Sequence, residues 1–320
     1  MRYYLLLVLI PAATFAFASL AAAAIAASVW PLIDRRTRRS GASVRARAIA
    51  ALRLAPVVLA ALSALVLAGA FVRFEPAHTM EMPGLLLCAG GGLLLASCLS
   101  ASVRIARAAR ASATCSRLLR LGGQAILRRD GTRIWVLDSP YPVAAVIGIF
   151  RTRLLLSTRL TRECTETELD AIVKHERAHV RRRDNVVRAA MLYLPDPLPA
   201  FAAARQMETA WAAAAEEAAD DAAAGDAYEP RTVLASALVR VAKMATAPMP
   251  DWVSGLAFYE GQNLENRVRR LLEGGGASTS RGRATTASIA CVLIGCALLM
   301  TAPVGQQLHA WMEAALRVLP

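Results

Sequence analysis

Four stretches of this sequence, residues 3–33, 54–72, 83–103 and 284–304, contain no charged side chain. Each is long enough to cross a bilayer core of about 30 Å as a helix rising about 1.5 Å per residue. One such run can be a buried core helix, but four within 320 residues leave too little polar sequence to cover them all. Composition agrees, because 56% hydrophobic residues and a mean hydropathy of +0.41 exceed what a water-exposed domain carries. The first run is too long for the apolar region of a cleaved signal peptide and is expected to be retained. The expectation is therefore a multi-span α-helical membrane protein.

The arginines orient the spans. Arg35, Arg36, Arg38, Arg39, Arg45, Arg47 and Arg53 lie between the first two runs, whereas Arg73 after the second is offset by Glu75 and Glu81. Arg104, Arg107 and Arg110 follow the third run, and Arg267, Arg269, Arg270, Arg281 and Arg283 precede the fourth. The excess of Arg on one side makes that side cytoplasmic. Residues 1–110 are then expected to hold three transmembrane helices with an Arg-rich cytoplasmic loop at 34–53. A cytoplasmic domain would span 111–283, a fourth helix 284–304, and a short outer tail 305–320. Both termini would lie outside. The tail is too short for a folded domain, and Leu308, Trp311, Met312, Ala315 and Leu316 have the spacing of a helix resting on the membrane surface.

The net charge of +13 raises nucleic acid as a partner. No helix-turn-helix, zinc knuckle or aromatic-basic strand accompanies it, and the arginines gather beside the apolar runs, so the bilayer is the expected partner. Cys88, Cys98, Cys115, Cys164, Cys291 and Cys296 include no C-x-x-C pair, which indicates neither a disulfide framework nor a thiolate metal site.

Two of the four histidines stand in His175-Glu176-Arg177-Ala178-His179. On a helix they occupy one face a turn apart, so both imidazoles can reach one metal ion, and Glu176 is placed to take a proton from an attacking water. Thr165 and Glu168 form a capping-box pattern that starts this helix near Thr165, and Leu169, Ile172, Val173 and Ala178 supply its apolar stripe. No third histidine follows at short range, so a third ligand must come from elsewhere.

The alanine-rich segment from Trp211 to Gly225 reads as a helix with Glu216, Glu217, Asp220 and Asp221 in its last turns. Acids there oppose the helix dipole and are a poor choice for stability alone. Glu216 with Asp220, or Glu217 with Asp221, could give one ligand and one carboxylate that orients a ligand histidine. Their faces differ by only about 100°, so periodicity does not choose. Two nitrogens, one carboxylate and an open position describe catalytic Zn2+ better than structural zinc.

The run Pro142 to Ser157, then Thr165 to Asp170, then His175 to Asn185 resembles the BlaR/MecR-type membrane zinc metallopeptidases. The resemblance spans roughly residues 115–275 and takes in the later Glu-x-x-Ala-Asp element and Leu264-Glu-Asn-Arg267-Val-Arg-Arg-Leu-Leu272. It implies a gluzincin-like α+β zinc-metallopeptidase domain in the cytoplasm. His175, His179 and Glu216 would be metal ligands, Glu176 the catalytic base and Asp220 an outer-shell partner. The family element has a small residue before its aspartate, which favours Glu216 with Asp220, since Ala219 precedes Asp220. A penicillin-binding sensor, carried by some relatives after the last span, is not expected here.

Residues 133–137, 142–150 and 153–157 are β-prone, and an edge of such a sheet could pair an extended peptide beside the metal. Residues 186–194 are too short to span and either pack in the core or lie at the membrane surface, a further helix is expected over 231–244, and 274–282 reads as a flexible tether. Tyr193, Arg205, Tyr228 and Arg231 are candidate stabilisers of the oxyanion. The function expected is an endopeptidase that cuts a cytoplasmic or membrane-proximal protein, in signal transduction or transcriptional regulation. By resemblance, its target would be a transcriptional repressor or the chain itself. The alternatives are a constitutive quality-control or processing protease and a non-catalytic scaffold.

Overall fold

Apolar runs that continue into arginine-rich sequence need not end their helices at the bilayer edge, because arginine is a good helix former in water. The computed structural model, which describes residues 2–74, 83–127, 133–195, 201–245 and 264–274, shows this at all three described spans. Helix α1 is Arg2–Thr37, α2 is Ala42–Phe74 and α3 is Leu85–Gly122. Their apolar portions, Tyr3–Thr37, Ala42–Phe74 and Leu85–Arg110, are long and apolar enough to cross a membrane. The fourth run and the tail lie outside the described residues.

The loop expected over 34–53 is corrected. Only residues 38–41 separate α1 from α2, and Arg45, Arg47 and Arg53 lie on the second helix. Asp34 tightens the turn by accepting from Arg38 and, across the connection, from Arg45. The domain boundary expected at 110 falls inside α3, which runs on to Gly122. Gly90 has a packing role, since a Cβ there would lie 2.6 Å from the Ala13 backbone. The α1 and α3 backbones meet at that point.

A four-stranded sheet follows α3, with β1 at Gly123–Leu127, β2 at Arg133–Leu137, β3 at Ala144–Ile147 and β4 at Arg153–Ser157. The order is β1-β2-β4-β3, with β2 and β4 parallel and the other pairs antiparallel. Strand β1 was missing from the sequence reading, because Gly-Gln-Ala-Ile-Leu has little β-branched or aromatic content. Strand β3 is shorter than the run 142–150. It stops before Gly148, whose φ of +92° turns the chain and where a Cβ would strike the Arg151 carbonyl oxygen at 2.5 Å.

Six helices complete the described chain: α4 (Thr158–Glu163), α5 (Glu166–Arg182), α6 (Asp184–Tyr193), α7 (Ala202–Ala224), α8 (Tyr228–Met244) and α9 (Leu264–Leu272). Ile134, Leu154 and Leu156 of the sheet pack on Leu169, Ile172 and Val173 of α5 and on Ala237 and Met244 of α8. A second core joins the spans to this domain. Ala23, Ala26, Trp30, Ala46 and Ile49 pack with Met191 of α6 and with Met207, Trp211 and Ala215 of α7. Within the run 186–194, Met191 is buried in this core and Val187 packs against it.

Polar links reinforce that junction. Trp30 Nε1 donates to Gln206 at 3.1 Å, and fully buried Arg53 donates to Glu208 at 3.0 Å and to the Met191 carbonyl at 3.0 Å. Arg104 of α3 donates to the Leu192 carbonyl. Each described span therefore makes a hydrogen bond to α6 or α7.

The capping box expected at Thr165 is present, with Glu168 N–H donating to Thr165 Oγ1 and Thr165 N–H donating to Glu168 Oε2. Ser236 and Arg240 of α8 also donate to the Glu168 carboxylate. Burial alone would push this carboxyl up, but these donors and the Arg240 charge hold it below its ordinary value. A depressed folded pKa stabilises above the unfolded value of about 4.3, and that contribution is lost as pH falls through the folded pKa. Glu168→Ala is expected to cost about 1 kcal/mol near pH 7, with the gap to the parent shrinking below pH ~4. Unfolding in detergent at the two pH values measures it.

Candidate metal centre

The i, i+4 spacing on α5 puts His175 and His179 on one face, and their Nε2 atoms lie 3.2 Å apart. Leu169, Ile172, Val173 and Ala178 are buried on α5, and Ile172 lines the same cleft as the two histidines. Ala215 and Ala219, both buried, let α7 approach α5 closely, so that Glu216 reaches the histidines. Its Oε2 is 3.4 Å from His175 Nε2 and its Oε1 is 3.4 Å from His179 Nε2. His175, His179 and Glu216 together form a donor set able to hold one metal ion.

The donor set fits zinc. With Zn–N bonds of 2.0–2.1 Å the edge between two tetrahedral ligands is about 3.3 Å, and the three edges here are 3.2, 3.4 and 3.4 Å. The two Nε2 atoms facing each other at hydrogen-bond distance also leave at most one proton between them. A cation sharing both lone pairs removes that conflict.

Each histidine has a carboxylate at its far nitrogen. Asp184 Oδ2 lies 2.8 Å from His179 Nδ1, and Asp220 Oδ1 lies 2.9 Å from His175 Nδ1, the latter without hydrogen-bond alignment. Such partners fix the tautomer that presents Nε2 to a metal. Asp184 can reach back because Arg183 adopts a left-handed φ of 57°, turning the chain sharply between α5 and α6. Sequence reasoning assigned Asp220 to this outer position and did not assign Asp184, although its place five residues after His179 was visible.

Arg267 of α9 was the larger omission. Its Nε and one terminal nitrogen each donate to Asp220 at 2.8 Å, and the other lies 2.9 Å from Glu216 Oε2. Arg270, one turn on, donates to Asp221 at 2.6 Å and to the Glu217 carbonyl. Helix α9 thus supplies cations to three of the four acids near the C-terminus of α7, Glu216, Asp220 and Asp221. The family-like segment Leu264 to Leu272 was the available signal, but nothing local indicated which of its arginines faces the centre.

The electrostatics follow from these neighbours. Burial would raise the Glu216 carboxyl, yet Arg267 and the histidines hold it at about 2, and Asp220 is held well below its ordinary range by the same arginine. Burial would lower the His175 imidazole, but Asp220 and Glu216 hold it up at about 10. Glu176 differs, because burial pushes its carboxyl up and neighbouring charges compensate only partly. Raised in this way, it is suited to proton transfer. Its side chain lines the same cleft as His175, His179 and Arg267, between β3 and α8. None of Tyr193, Arg205, Tyr228 or Arg231 lines that cleft; Arg231 instead donates to the Gly225 carbonyl.

Among the described residues, three helices apolar enough to cross a membrane accompany a small mixed sheet and a centre of two histidines and one carboxylate. The profile of the BlaR1 peptidase M56 family matches residues 5–270, and the chain belongs to that peptidase family. No curated protein and no solved structure matches it.

Proposed function

We propose that this chain is an integral-membrane, zinc-dependent endopeptidase. The observation that carries the reading is the triangle of His175, His179 and Glu216 with Glu176 beside it in an open cleft. A zinc ion bound there would supply Lewis acidity toward a peptide carbonyl. The chain's residues do the rest. Asp184 and Asp220 hold the imidazoles in orientation, and Arg267 keeps Glu216 and Asp220 ionised and in place. Glu176 takes a proton from the attacking water and returns it to the leaving amine. Strand β3 borders the cleft as an edge strand, which suits an extended peptide backbone.

The substrate proposed is a cytoplasmic or membrane-proximal protein, cut in a signalling or transcription-regulating step. This reading requires the metal centre on the cytoplasmic side, which the arginine distribution supports. A reporter inserted between Gly274 and Gly276 should face the cytoplasm and one fused after Pro320 should face outside; both on one side would overturn that orientation. The catalytic reading is tested on the detergent-purified chain by metal analysis and casein cleavage. About one zinc per chain, with cleavage abolished by chelation and restored by zinc, is expected. A folded chain that binds no zinc and cuts nothing would leave a scaffold as the better description.

A further inference from the structure

Strand β3 is an edge strand, and its hydrogen-bonding groups alternate in direction. Ser157 N–H donates to the Val143 carbonyl at 2.8 Å, and Val143 pairs across from Ser157 in the register that sets Ala144 opposite Leu156 and Val146 opposite Leu154. In an antiparallel pair, residues exchange hydrogen bonds at every second position. Val143, Ala145 and Ile147 therefore point their backbone groups toward β4. Those of Ala144 and Val146 point to the open side, where no strand pairs with β3 among the described residues. Ala144 and Val146 both line the metal cleft.

That open edge is already blocked at one end. Asn185, the second residue of α6 and itself part of the cleft wall, donates from Nδ2 to the Val146 carbonyl at 2.9 Å and to the Gly148 carbonyl at 2.8 Å. One amide group thus takes the last outward carbonyl of β3 and the carbonyl of Gly148 just beyond it. What remains for an incoming backbone is the N–H and carbonyl of Ala144 and the N–H of Val146. Asn185 directly follows Asp184, whose carboxylate contacts His179, so the blocked end of the strand is tied to the metal centre through adjacent residues.

We propose that Asn185 is a positioning residue that sets the register of the substrate: by occupying the Val146 and Gly148 carbonyls it confines backbone pairing to Ala144 and the Val146 N–H, and so fixes which peptide bond lies over His175, His179 and Glu216. This rests on the peptidase reading above. A slip of one residue would turn every substrate side chain to the opposite face, so the alternative that Asn185 suppresses is a slip of two.

The test uses the zinc-loaded 320-residue chain in detergent and a mixed-sequence library of short peptides, with cleavage positions read by mass spectrometry. The parent protein should cut in one register. Asn185→Ala, checked for zinc content and thermal unfolding, should add products displaced by two residues, because the Val146 and Gly148 carbonyls become free. A folded, zinc-replete Asn185→Ala protein that retains the parental product pattern overturns the proposal. Should that variant fail to fold, the parent protein decides the matter with a cleaved peptide N-methylated at successive residues. Loss of the one N–H that donates to Ala144 should lower kcat/KM roughly five- to tenfold, while N-methylation two residues along, opposite Val146, should have little effect. Comparable losses at both positions overturn the register. If the parent cuts no member of the library, the peptidase reading fails and the register falls with it, an outcome distinct from either pattern above.

Discussion

Glu176→Gln retains stoichiometric zinc and loses peptidase activity by at least about 10²-fold in kcat, the scale of a removed general base. The variant preserves side-chain shape, and Glu176 is outside the cluster of His175, His179 and Glu216, so the metal should stay. What it removes is a carboxyl whose pKa burial pushes upward in a cleft that also contains both histidines. An amide there can neither accept the proton of the attacking water nor return it to the leaving amine. Metal analysis and initial cleavage rates on the purified protein measure the two effects separately. Full activity would remove Glu176 from the mechanism, and loss of zinc would make it a ligand.

The second large effect separates neighbouring glutamates. Glu216→Ala should abolish stoichiometric zinc, whereas Glu217→Ala should retain both metal and activity. Glu216 reaches both imidazoles at 3.4 Å, while the Glu217 carbonyl accepts from Arg270 on the adjoining face. Deleting Glu216 also removes one of the two carboxylates that Arg267 contacts, leaving its guanidinium paired with Asp220 alone beside the place a cation must occupy. The lost negative charge adds to the lost ligand. Retention of metal in both variants would place the third ligand outside α7.

The local parts of the centre could be read from sequence because they depend on helix geometry alone. His175 and His179 stand one turn apart in any helix, Thr165 and Glu168 cap the helix that contains them, and Gly225 ends α7. Glu216 and Glu217 were equivalent by periodicity, and family likeness favoured the pair that the packing of α7 then turns toward the histidines. Span extent was less legible. Hydropathy marks where a helix is in lipid, whereas backbone hydrogen bonding continues through Arg45 and Arg47 wherever arginine is well solvated.

The chain's sequence determined that it has apolar helices of membrane length, a histidine pair one helical turn apart with an adjacent carboxylate, and an acidic helix carrying candidate partners for that pair. Tertiary structure decided the rest, because it depends on distances between residues far apart in the chain. Arg267 meets Asp220 across 47 positions of sequence, and Arg53 of α2 meets Glu208 across 155. Arg183 accepts a left-handed backbone without glycine, and this lets Asp184 return to His179 and Asn185 reach β3. No local pattern encodes such contacts, since each is fixed by how α5, α6, α7 and α9 pack around one charged centre that must be satisfied as a whole.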